Sequence, residues 1–282
     1  MKNNPLFRYS LITYLASWTL WFFLMELVNH GVTAYGKPFF MTLYLLGGIF
    51  PSFAAFIVVR KDKDTYRRLK AEIFKFKAGI FWYIAIFLLP LAISGLSWII
   101  NGFLQKQSGP FLREPVYMVV GMLPIMIIGG GSEEIGWRGL VLPKLLEKMS
   151  PLKATLILSL VWGIWHIPLW FIRDVPQYGT NFLEFMVGTI SLSFLLTILY
   201  LATRSVFLCI LFHALENAYL NIGLDSWISG PISGWLNALG GLGISIILFW
   251  IYIHHNECLT RHLNNEFGKK KDPPQTISGE EI

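Results

Sequence analysis

Apolar runs near twenty residues long recur along this chain with only short polar stretches between them, and that rhythm constrains the fold more than any single motif. About 20 apolar residues in a helix span the hydrocarbon of a bilayer, where only an internal hydrogen-bond ladder satisfies every backbone polar group. Eight such runs can be drawn, at 9–29, 38–59, 79–104, 115–137, 153–173, 182–202, 204–222 and 233–254. With 54% hydrophobic residues and a mean hydropathy of +0.54, nothing is left over for a soluble domain. The expectation is an all-α polytopic membrane protein, one integral membrane domain over residues 1–258, with about eight transmembrane helices around a polar intramembrane cavity. Residues 259–282 are Lys-rich, contain Pro273-Pro274, and read as a disordered cytoplasmic tail.

Lysine and arginine set the expected orientation, because short loops rich in them stay cytoplasmic. Arg60, Lys61, Lys63, Arg67, Arg68, Lys70, Lys75 and Lys77 crowd the second loop, and Lys144, Lys148 and Lys153 follow the fourth span. Lys269, Lys270 and Lys271 lie in the tail, so the even-numbered loops and both termini are expected in the cytoplasm. The segment from Thr65 to Ala78 carries Leu69, Ile73 and Phe76 at helical spacing and is expected to lie on the membrane surface. Topology and anionic lipid account for the net charge of +6, and no nucleic-acid partner is implied. Short loops and the excess of Lys over Arg point to a prokaryotic plasma membrane. Cys209 falls inside a span and Cys258 just beyond the last, which leaves no disulfide framework.

Against this apolar background, three spans carry polar groups. The fourth ends in Gly129-Gly-Gly-Ser-Glu133-Glu134-Ile-Gly-Trp-Arg138, the fifth holds Trp162-Gly-Ile-Trp-His166, and the seventh holds His213-Ala-Leu-Glu216-Asn217. A charge at the centre of a bilayer costs about 2.5–3.5 kcal/mol on insertion scales, so such residues need partners or water and mark a site. Four-residue spacing lets Glu134 pair with Arg138, sets Trp162 over His166 and aligns His213 with Asn217. Glu133 has Trp137 four residues on and is the freer carboxylate of the two. The glycine run is expected to permit close backbone approach, and Pro143 and Pro168 to bend their helices.

Two chemistries are compatible with a Glu, two His and an Asn in a dehydrated cavity. A carboxylate and a neutral imidazole can activate water, while a second imidazole and an amide donate hydrogen bonds to the oxyanion formed at a peptide carbonyl. Alternatively, Glu133, His166 and His213 can be three ligands of Zn²⁺ with water in the open position, although no His-Glu-x-x-His spacing is present. The cofactor is therefore none or Zn²⁺.

The ordered set Glu133-Glu134-Ile-Gly-Trp-Arg138, Trp162-Gly-Ile-Trp-His166 and His213-Ala-Leu-Glu-Asn217 resembles the CPBP (ABI) family of intramembrane proteases, which includes the type II CAAX prenyl endopeptidases. The resemblance covers roughly residues 125–225. It implies an eight-helix endopeptidase with a cavity open to membrane and cytoplasm. In it Glu133 and His166 activate water, His213 and Asn217 stabilise the oxyanion, and Glu134 and Arg138 support the site. One departure is Trp162, where phenylalanine is common. The implied partner is a membrane-associated, CAAX-type or other, protein or peptide. Two further readings are a non-catalytic membrane immunity factor or signalling scaffold of the same family, and a transporter relaying protons through its buried Glu and His.

Overall fold

Helix capping and proline placement set most of the boundaries in the structure, a computed structural model that describes residues 4–106, 110–223 and 233–255. Helix α1 (Pro5–Asn29) begins where the Asn4 side chain accepts from the Leu6 N–H at 3.0 Å, and α2 (Pro38–Val59) also has proline at its start. Helix α3 (Lys63–Ile73) is capped by Asp62, whose carboxylate accepts from the Thr65 N–H at 3.1 Å. Then follow α4 (Ile80–Gln105), α5 (Met118–Gly129), α6 (Pro151–Trp165), α7 (Phe182–Thr203), α8 (Val206–Asn221) and α9 (Ser233–His255). Among the described residues, seven segments are long and apolar enough to cross a membrane, and Val206–Asn221 is a shorter apolar helix. The all-α polytopic expectation therefore holds. The tail from 259, Cys258 and His262 lie outside the described residues.

The fourth span differs from its expected end at 137, because the apolar segment runs on to Leu146 while changing helix type several times. Gly130, at φ −149° and ψ −54°, breaks α5. A 3₁₀ turn (Gly131–Glu133), one α turn (Glu134–Gly136), a π turn (Trp137–Val141) and a last α turn (Leu142–Leu146) follow. Such π turns inside helices are frequent at functional sites. All five residues of this one are buried.

Two glycines let neighbouring chains close on this irregular stretch. A Cβ on Gly136 would collide with the Tyr9 hydroxyl and sit 2.5 Å from the Pro51 carbonyl oxygen, and one on Gly131 would sit 2.5 Å from the carbonyl oxygen of Ile210. Helices α1, α2 and α8 thus pack directly against its backbone. An aromatic column completes the support: Tyr9 meets Trp137 edge-on with centroids 5.3 Å apart, Trp137 meets Trp165 at 6.0 Å, and Trp165 meets Trp21 at 4.8 Å.

The basic segment after α2 forms α3 over Lys63–Ile73, shorter than the expected stretch to Ala78, and Phe76 beyond its end is exposed. Leu69 is fully buried, and the Arg68 Nη2 donates to the Gly139 carbonyl at 3.2 Å. Tyr200 of α7 donates its hydroxyl to Glu72 at 3.0 Å, and Arg68 donates to the same carboxylate at 3.3 Å. Burial pushes the Glu72 carboxyl above its ordinary value, with Arg68 and Tyr200 pulling the other way. One face of α3 is therefore clamped onto the π turn. The other presents Lys63, Arg67 and Lys70 outward.

Gly136→Ala is expected to lower stability by about 1–3 kcal/mol through overpacking against Tyr9 and Pro51. The control Gly121→Ala, whose Cβ meets no atom within 4 Å, is expected to leave the apparent melting temperature in detergent unchanged. Equal melting temperatures for both variants would contradict the close approach.

Candidate active site

The break at Gly130 is what turns Glu133 and Glu134 in different directions. Glu133 ends the 3₁₀ turn and Glu134 begins the next α turn, so adjacent carboxylates enter separate surroundings. Glu134 is 0% exposed, and Arg138 Nη1 reaches both its oxygens, at 3.1 and 2.8 Å. The pairing expected from the four-residue spacing is present across the start of the π turn. Arg138, itself 0% exposed, also donates from Nη2 to Ser193 Oγ of α7 at 3.0 Å and lies over the Trp162 ring at 4.8 Å.

Glu134 does more than neutralise arginine. The Nδ1 of His213, on α8, lies 2.8 Å from its Oε1. An ionised carboxylate only accepts, so this nitrogen carries the proton and Nε2 is the ring atom left for other partners. The tautomer is set the same way in His166, whose Nδ1 lies 2.9 Å from the carbonyl oxygen of Trp162. His166 sits where α6 ends, since Pro168 disfavours helix continuation, and its ring meets Trp165 and Phe185 edge-on at 4.6 and 5.1 Å.

Glu133 is not without a partner, as its spacing along the chain had indicated. The indole Nε1 of Trp162 donates to Glu133 Oε2 at 2.7 Å, a bond between two helices that no periodicity reveals. Trp162 lies over His166 as expected, with centroids 5.8 Å apart, and also meets His213 at 5.2 Å. Asn217, one turn beyond His213 on α8, is half-buried beside Gly130, where a Cβ would collide with its Nδ2 and lie 3.3 Å from His213 Nε2. The glycine run thus has its packing role at the site itself. All six sequence-derived site residues converge here, joined by Ser193, which offered no signal beyond a hydroxyl in an apolar span.

Glu133, His166, His213 and Asn217 share one cavity of about 610 Å³. For Zn²⁺ the test is arrangement, and among the described residues no group of three His, Cys, Asp or Glu is placed to hold a metal ion. Glu133, His166 and His213 share the cavity without forming such a group. His254 and His255, at the end of α9, are exposed and apart from the site.

Residues 115–219 match the family model for Type II CAAX prenyl endopeptidase Rce1-like proteins. The chain resembles that family across all three motifs. It is also 28% identical over 234 residues to CAAX prenyl protease 2 of Methanococcus maripaludis, an alignment covering 77% of this chain and 83% of that protein. The resemblance carried by the three motifs is thereby borne out, and the likeness to an endopeptidase extends beyond them to most of the membrane domain.

Arg138→Met leaves the buried Glu134 without its cation, and is expected to cost about 3–5 kcal/mol of stability. The double variant Glu134→Gln with Arg138→Met removes both charges and is expected to recover much of that loss in thermal denaturation. A single variant as stable as the wild type would show that Arg138 does not compensate Glu134.

Proposed function

We propose that this protein is an intramembrane endopeptidase that hydrolyses a peptide bond of a membrane-associated protein or peptide with water activated by Glu133 and His166. The observation that carries this reading is the convergence of Glu133, His166, His213 and Asn217 on one cavity from three separate spans. Similarity to CAAX prenyl protease 2 supports the reaction class and makes a CAAX-type segment one candidate substrate.

In this mechanism the Glu133 carboxylate takes a proton from water as its oxygen attacks the peptide carbonyl carbon. The attack opens the C=O bond and leaves an oxyanion on a tetrahedral carbon. The side-chain amide of Asn217 donates to that oxyanion in its ordinary state. His213 donates from Nε2 only as the imidazolium, because its Nδ1 proton is already committed to Glu134, and the negative Glu134 balances that charge. The tetrahedral carbon then expels the amine, which receives the proton first taken from water, with His166 Nε2 as the relay. One water is consumed, its first proton passing to the amine and its second staying on the new carboxyl group, so that a carboxylic acid and an amine are released and ionise to carboxylate and ammonium. Glu134 and Arg138 act as positioning residues through His213.

Glu133→Gln is expected to abolish cleavage while the melting temperature stays at the wild-type value. A comparison of membrane-protein termini by mass spectrometry, between matched cells carrying wild type or Glu133→Gln, identifies the substrate without guessing it. No terminus dependent on Glu133 would move the assignment to a non-catalytic immunity or scaffold role. With the cleaved peptide in hand, Asn217→Ala is expected to lower kcat by roughly 10²–10³-fold, the usual loss for one oxyanion donor. Undiminished turnover would remove Asn217 from the oxyanion site.

A further inference from the structure

Between α2 and α3 the chain turns back under tight local control. The Asp62 N–H donates to the Val59 carbonyl at 2.8 Å, and the Asp62 carboxylate accepts from both the N–H and the hydroxyl of Thr65. The rings of Phe56 and Tyr66 meet across the turn with centroids 6.2 Å apart. Along α3, Lys63, Arg67 and Lys70 follow one another at three- or four-residue spacing and share a face, which Phe74 at the C-cap continues. With Arg60 from the end of α2, they line an open groove of about 550 Å³, where the small Ala71 leaves room between them.

Four cations and no carboxylate line this groove. The carboxylates of the segment are placed elsewhere: Glu72 is buried on the opposite face with Arg68 and Tyr200, Asp62 holds Thr65, and Asp64 lies outside the lining. Cations gathered on one wall repel each other, and an anion between them relieves that repulsion. The helix that carries three of them is already fixed, because Arg68 binds the Gly139 carbonyl and Leu69 is fully buried. An incoming anion therefore does not have to order α3. Arg60 and Arg67 approach from different helices, and the planar guanidinium fork matches the oxygens of a phosphate group.

The place of the groove in the fold identifies the source of that phosphate. Helix α2 is long and apolar enough to cross a membrane, and Arg60 directly follows its last residue, Val59. The groove thus lies where a span leaves the hydrocarbon, at the level of lipid headgroups. Tyr66 and Phe74 stand exposed among the cations and offer carbon surface that a free phosphate ion would not use. We infer that the groove between Arg60 and α3 is a binding site for the phosphodiester headgroup of an anionic phospholipid. It shares no lining residue with the cavity that holds Glu133, and the inference stands independently of the endopeptidase reading.

Native mass spectrometry of the full chain, delipidated in a neutral detergent and titrated with phosphatidylglycerol, counts the lipids bound per chain. One saturable lipid is expected, with phosphatidylcholine of the same acyl chains binding at least roughly tenfold more weakly. Arg60→Gln with Arg67→Gln, and separately Lys63→Gln with Lys70→Gln, are each expected to weaken phosphatidylglycerol binding by roughly tenfold or more. Lys61→Gln with Lys77→Gln removes two exposed cations of the same segment that lie outside the groove, and is expected to leave binding unchanged. Equal weakening by all three pairs would reduce the groove to diffuse surface charge and overturn the inference, as would equal binding of the two lipids or no saturable binding. Displacement of phosphatidylglycerol by inorganic phosphate alone, at matched concentration, would reassign the groove to a free phosphate and overturn the lipid.

Discussion

Everything at the centre of this protein follows from the need to keep an ionised glutamate and arginine inside a bilayer. Each such charge costs several kcal/mol to desolvate, and the pair is tolerable only if its geometry is tight and further partners share the charge. Arg138 therefore spans both oxygens of Glu134, donates onward to Ser193 and covers the Trp162 ring, while Glu134 also holds His213. A uniform α-helix would also place Glu134 near Arg138. What it would not do is turn the neighbouring Glu133 into a separate environment. The break at Gly130 and the succession of 3₁₀, α and π turns accomplish that, and they in turn demand glycines where α1, α2 and α8 approach the backbone.

Trp162 is the residue through which the two halves of the site communicate. Its indole N–H binds Glu133, its carbonyl fixes the tautomer of His166, its ring face lies under Arg138, and its edge meets His213. A phenylalanine, common at this position in the family the chain resembles, would keep the ring contacts and lose the donor to Glu133. The charge-assisted bond from tryptophan is thus a feature of this chain, laid over an aromatic packing position.

Much of this was legible in the sequence because a bilayer enforces simple rules. Helices must be long and apolar, so six of the seven spans found among the described residues, and the shorter Val206–Asn221, fall within a few residues of the runs drawn by hydropathy. Charged residues in such runs must be paired, so Glu134 and Arg138 declared themselves by spacing. The Trp162–Glu133 bond was not legible, because it joins α6 to the segment after α5 and depends on how two helices are rotated. The extension of the fourth span to Leu146 was missed for a related reason: Arg138 and Lys144 end an apolar run by composition, whereas in the fold Arg138 is neutralised by Glu134 and the segment stays buried. Ser193 and the clamp between α3 and Gly139 are likewise contacts between elements distant in sequence.

The asymmetry of the bundle follows from the same economy. The irregular stretch from Gly131 to Val141 holds the buried Glu134 and Arg138, and water reaching it would compete for that pair. Sealing one end with α3 supplies the Arg68 bond to the Gly139 carbonyl and the buried Leu69 against the same turn, while the basic face of α3 stays solvated. The proposed hydrolysis would consume water at Glu133, and Gln177, Asn181, Asn221 and Asn237 line the cavity wall. The buried Glu134–Arg138 pair and the cavity-lining Glu133 thus stand side by side in different surroundings, one held by Arg138 and His213 and the other by Trp162.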